Sequence, residues 1–150
     1  MPAYDSLVTA RPIRLFDHPE RIDAIARGRQ TRTRVALRVN PDIDAGSHPH
    51  ISTGLKTNKF GIGIGDVREV ARRAAARPGL ELVGLHSHVG SQITDLSPLR
   101  HAAEALVTLS RELRDDGITI EHLDLGGGLG ISYDGSPAPT AEEYAAALLP

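Results

Sequence analysis

Leu80-Glu81-Leu82-Val83-Gly84-Leu85-His86-Ser87-His88-Val89-Gly90-Ser91-Gln92 begins as a mostly apolar run of strand length and ends in a polar tail. Both flanks read as helices. Upstream, Asp66 can cap a helix whose stripe of Val67, Val70, Ala71 and Ala74 falls at i, i+3, i+4 and i+7, with Pro78-Gly79 as its stop. Downstream, Ser97-Pro98 opens a longer helix with the stripe Leu99, Ala102, Ala103, Leu106, Leu109 and Leu113, and Gly117 is the candidate left-handed residue beyond its end. Further out, residues 34–40 form a strand in which Val35, Leu37 and Val39 alternate with Ala36 and Arg38. A short helix precedes that strand. Asp17 and Glu20 can box its start, Pro19 sits in its first turn, Ile22, Ile25 and Ala26 form its stripe, and Gly28 can end it. Residues 118–125 read as another strand, and Thr140 with Glu143 makes a second capping box before a C-terminal helix. Residues 1–16 show no clear period.

Strands alternating with helices predict an α/β fold: a parallel sheet with crossover helices. A doubly wound sheet and a (β/α)8 barrel both satisfy the order. A closed barrel needs eight strands and typically about 250 residues. This chain has 150 residues, so on the barrel reading it is expected to be incomplete.

Composition narrows the function classes. Hydrophobic residues make up 40% and charged residues 24% of the chain, which suits one core-forming domain. A formal net charge of −2 points to neither nucleic acid nor an acidic membrane surface as a partner, and an aromatic content of 3% is too low for a base-stacking platform. There is no cysteine, which excludes disulfides, thiolate metal sites and a cysteine nucleophile. No apolar run approaches the roughly 20 residues of a membrane span, and the N-terminus has no signal-peptide h-region; a cytoplasmic location is expected. The positive charge is almost all arginine, the only lysines being Lys56 and Lys59.

Chemistry in parallel α/β folds collects at the C-terminal ends of the strands, and three segments occupy that position. The first is the long polar loop from Pro41 to Gly65, with His48, His50, Ser52, Thr53 and both lysines. Loops of that length are often functional, though it also reads as an ordinary polar surface loop. The second carries His86 and His88, two apart and therefore on one face of a strand. They suit a pair of metal ligands, an aromatic plate against a planar cofactor with Ser91 as a phosphate donor, or plain core and rim histidines. The third is Leu123-Asp124-Leu125-Gly126-Gly127-Gly128-Leu129-Gly130. Glycines after a strand let backbone N–H groups approach an anion, with phosphate the natural guest; the plain alternative is a turn that needs positive φ. The dinucleotide fingerprint fails, because Ile131 stands where its third glycine belongs, and no Gly-Lys-Ser/Thr of a Walker motif occurs.

In this order and spacing, the three segments resemble the fold type III pyridoxal-phosphate (PLP) dependent decarboxylases. Within them, residues 35–42, His48-Pro49-His50-Ile51-Ser52-Thr53-Gly54-Leu55-Lys56, Lys59-Phe60-Gly61-Ile62 and the two strand-end segments are similar to the diaminopimelate decarboxylase branch. The arginine, ornithine and carboxynorspermidine decarboxylases are neighbouring branches. The likeness runs from about Asp17 to the C-terminus and implies a partial TIM-type barrel of the alanine racemase/decarboxylase type over residues 17–150, with residues 1–16 unplaced. It implies decarboxylation of meso-diaminopimelate to L-lysine, with PLP as cofactor, His88 as the catalytic residue stacked on the pyridine ring, Ser91 on the phosphate, and Gly126, Gly127 and Gly128 as backbone donors to it. It also implies a homodimer for a full-length member. Such enzymes carry their Schiff-base lysine on an early strand; nothing here matches that motif, and Lys56 and Lys59 match loop lysines. A fragment, inactive as a separate polypeptide, is the expectation. Two other readings compete: a non-catalytic PLP-binding remnant, and a metal-dependent hydrolase barrel using His86 and His88, for which His101 and His122 converge poorly as further ligands.

Overall fold

The computed structural model describes residues 14–16, 19–28, 32–43 and 60–149. In chain order the elements are β1 (Arg14–Phe16), α1 (Pro19–Gly28), β2 (Thr33–Asn40), β3 (Ile62–Gly63), a 3₁₀ turn (Ile64–Asp66), α2 (Val67–Ala75), β4 (Leu80–Ser87), α3 (Ser97–Asp115), β5 (His122–Asp124) and α4 (Ala141–Leu148). The strands make one sheet in the order β1-β2-β4-β5, with β3 against the last two residues of β2, and every pairing is parallel. Strands β1 and β3 are additions to the sequence reading. Three and two residues are too few to display a period of two, so they fell inside segments without a pattern.

One face of the sheet carries the core. Val35, Leu37 and Val39 of β2 join Leu80, Leu82 and Leu85 of β4 in one buried cluster. Helix α2 adds Val67, Ala71 and Ala74, α3 adds Leu106, Leu109 and Leu113, and Ile22 of α1 packs against the same cluster. Burial of each large aliphatic side chain stabilises the fold by about 1.5–3 kcal/mol. A doubly wound sheet distributes its helices over both faces, whereas here α1, α2 and α3 share one, as in a (β/α)8 barrel with its helices outside. The opposite face presents cross-strand rows. Ala36 pairs with Gly84 and Gly84 with His122; Arg38 pairs with His86 and His86 with Asp124. The row at Gly84 is tight, since a Cβ there would meet the Ala36 Cβ at 3.1 Å.

The helix ends sort into those that use local chemistry and those that do not. Gly117 sits at φ +81, with its N–H on Arg114 O and the Ile118 N–H on Leu113 O, a Schellman closure of α3. The Thr140–Glu143 capping box forms in both directions at the start of α4. Asp66, by contrast, makes no capping hydrogen bond, because the 3₁₀ turn leads directly into α2. Helix α3 starts at Ser97 with Leu96 as its N-cap and no side-chain cap, and Asp95 accepts from both the Ser97 amide and hydroxyl just ahead of it. In α1 the expected stripe shifts. Ile25 is 56% exposed, while Asp23 is buried, accepting from the Gly79 amide and paired with Arg27 and Arg77. Asp17 lies outside the described residues.

Candidate functional site

Strand β4 ends at Ser87, and the chain then turns out of the sheet. A register shift against β2 between Val35 and Ala36 inserts Val83 as an extra residue, which sets which side chains of β4 face the helices. His86 is buried at 8% exposure, whereas His88, one residue past the end of the strand, is exposed. His86 Nδ1 and Ser87 Oγ are buried without a hydrogen-bond partner. Burial is the main cause that pushes the His86 imidazole below its ordinary value; Arg38 and His88 push the same way and Asp124 opposes them.

Two loops beyond the sheet are stitched together. The Ile93 amide donates to Gly128 O, and the Gly130 amide donates to Ile93 O. Gln92, held at φ +58, closes a second pair: its amide Nε2 donates to Ile131 O at 2.6 Å, and its Oε1 accepts from the Ile131 amide at 3.1 Å. The stitching lays the glycine turn on the end of β4. Gly126, at φ +74, leaves no room for a side chain: a Cβ would run into Ser87 O and come within 3.3 Å of the His88 Cβ. At Gly128, φ +101, a Cβ would run into Gly90 O and lie 3.4 Å from the Ser91 Cα. Gly127 differs, since nothing lies within 4 Å of a Cβ built there. His88 therefore abuts Gly126, Ser91 abuts Gly128, and Gly127 opens outward between them. The stitching does not use the amides of Gly127 and Gly128.

Further groups complete this end of the sheet. Asp124 Oδ1 accepts from the Gly126 amide at 2.9 Å, and the Tyr144 hydroxyl of α4 donates to Gly126 O at 3.2 Å. Burial, then the nearby Asp124 charge, pushes the Tyr144 phenol up. Asp124 stood beside the glycines in the sequence without an assigned role, and its position directly before the turn was the available signal. Tyr144 gave none, because it is 18 residues away on the C-terminal helix. The loop residues His48, His50, Ser52, Thr53, Lys56 and Lys59 lie outside the described residues. Among the described residues, no group of three or more His, Asp or Glu side chains comes together as a metal site, and none of them joins His86 and His88 as the further ligand that a hydrolase metal centre needs. Nor is any helix among them long and apolar enough to cross a membrane.

Residues 8–150 match the family model described as pyridoxal-dependent decarboxylase, pyridoxal binding domain. The chain belongs to the pyridoxal-dependent decarboxylases. Among named relatives, it is 50% identical over 115 residues to the diaminopimelate decarboxylase of Haemophilus influenzae, covering 77% of this chain and 28% of that one. The Archaeoglobus fulgidus diaminopimelate decarboxylase is 42% identical over 135 residues, covering 90% and 32%. A crystal structure of Helicobacter pylori diaminopimelate decarboxylase complexed with L-lysine superposes with a TM-score of 0.82 at 36% identity, covering 90% of this chain and 35% of that one. The chain thus spans about a third of the length of these relatives. The family's cofactor is pyridoxal phosphate. The turn suits such a group: Gly127 offers open backbone between an exposed ring and an exposed hydroxyl, which is the donor set an aromatic phosphate needs.

Proposed function

We propose that this chain is the central part of the cofactor-binding barrel of a diaminopimelate decarboxylase, acting on meso-diaminopimelate to give L-lysine. The observation that carries the reading is the stitched pair of loops, which sets Gly126 against His88 and Gly128 against Ser91. His88 would present its ring to the cofactor's pyridine. Ser91 and the amides of Gly127 and Gly128 would hold the phosphate, with Gly126 shaping the turn. When bound, pyridoxal phosphate supplies the electron sink for the carbanion left as CO₂ departs. The residues here contribute position rather than proton transfer: a plate, a hydroxyl and a backbone nest fixed on one sheet end. Residues 17–150 form the barrel segment in this reading, within a longer, cytoplasmic and homodimeric enzyme; taken alone, the segment is inactive.

Deletion of the reading frame that encodes the chain tests the proposal. We expect the cell to require added L-lysine and to accumulate meso-diaminopimelate, with the same phenotype from His88→Ala in the intact frame. Growth without lysine, together with retained PLP binding by the chain, would instead identify a cofactor-binding remnant without catalysis.

A further inference from the structure

Gly126 is held at both of its backbone polar groups by side chains from two different elements. Asp124, the last residue of β5, accepts from its N–H at 2.9 Å, and Tyr144, on α4, donates to its C=O at 3.2 Å. The residue sits at φ +74 with Ser87 O and His88 directly beneath, so it cannot relax toward the sheet. Helix α4 buries none of its residues fully. Tyr144 is nevertheless partly buried, in contrast to Tyr133 at 82% exposure, and spends its hydroxyl on the turn. The capping box at Thr140 and Glu143 fixes the first turn of α4 and so the point from which Tyr144 reaches.

We propose that Asp124 and Tyr144 are positioning residues that clamp Gly126 and thereby aim the amides of Gly127 and Gly128 at the phosphate of the bound cofactor. Neither touches the phosphate in this account. The clamp fixes the plane of the peptide that precedes Gly127, and a nest of amides binds an anion only while its N–H groups converge. The inference rests on the reading of this turn as the phosphate site.

The test compares two ligands that differ only in the phosphate, pyridoxamine 5′-phosphate and pyridoxamine. Neither carries an aldehyde, so Lys56 and Lys59 cannot capture them covalently. Calorimetric titration of the purified product of the intact reading frame, freed of cofactor, gives a preference ratio for the phosphorylated ligand. Tyr144→Phe keeps the ring and removes one neutral hydrogen bond, which corresponds to a roughly three- to tenfold fall in that ratio. Asp124→Ala lowers it similarly, while Asp124→Asn, which retains an acceptor, keeps most of it. Affinity for pyridoxamine stays unchanged in all three. Should Tyr144→Phe fail to fold, as seen by circular dichroism, the two Asp124 variants report on the same clamp from its other side. A wild-type ratio in Tyr144→Phe and Asp124→Ala overturns the clamp and leaves the phosphate site standing. Equal weakening of both ligands also overturns it, by showing a general structural role. No preference in the wild-type chain overturns the phosphate reading itself, and the clamp with it.

Discussion

His86 is the residue whose environment most departs from what its polarity asks for. It lies in a cross-strand row between Arg38 and Asp124, with His88 beyond it, and its Nδ1 is buried without a partner. Burial chiefly, aided by Arg38 and His88 and opposed by Asp124, holds it below the ordinary 6.5. The sign follows from proton linkage. Below about pH 6.5 the unfolded chain binds a proton that the folded chain refuses, so stability falls as the pH drops through 6.5 and levels off only below the folded value. Urea midpoints measured between pH 7.5 and 5 should decline toward acid, and His86→Gln should flatten that decline. Asp95, Asp116 and Asp134 do not confuse the window: their carboxyls are held below 3.8, so their contribution is lost only at lower pH. An unchanged slope in His86→Gln would contradict this account. The sequence showed that two histidines stand two apart, which alternation on a strand makes neighbours. It could not show that β4 stops between them, because Ser87 and His88 carry no stop signal.

At the scale of elements, the loops after β4 and β5 act as one unit. The unit rests on a few contacts, and they differ in cost. Gln92→Ala removes both bonds to Ile131, but they lie at the surface, so the expected loss is about 1 kcal/mol. Gly128→Ala adds a clash with Gly90 O to the ~1–3 kcal/mol of strain at positive φ, and should cost more than that strain alone. Urea unfolding of the two variants checks the ranking; equal costs would mean that the turn is not packed against Gly90 as described. Elements of this size were legible where periodicity had room. The stripes of α2 and α3 and the alternation in β2 lie where the core is; Gly117 ends α3 and the Thr140–Glu143 box starts α4 as local chemistry dictates. Ser97-Pro98 starts its helix as read, whereas Asp66 misled, because a capping residue type says nothing about whether a 3₁₀ turn already leads into the helix. The clamp by Tyr144 was illegible, since contact across 18 residues has no sequence period.

For the whole molecule, the same asymmetry explains both fold and site. Apolar residues of the strands and three helices share one face, as in a barrel wall with its helices outside, and the polar rows with Arg38, His86 and Asp124 are left on the other. Loops at the carboxyl ends of the strands then gather His88, Ser91 and the glycine turn. The alternation of helices and strands made the parallel sheet legible. Which of the two parallel architectures it was depended on helices sharing a face, which only the packing decides. The central claim is that this gathered end binds a phosphorylated pyridine, and amide-resolved NMR of the chain titrated with pyridoxamine 5′-phosphate tests it most directly. The account predicts the largest shifts at Gly127, Gly128, Ser91 and His88, with inorganic phosphate moving the glycine and Ser91 signals but not the His88 ring. Shifts confined to other surfaces, or none at the glycine turn, would contradict it.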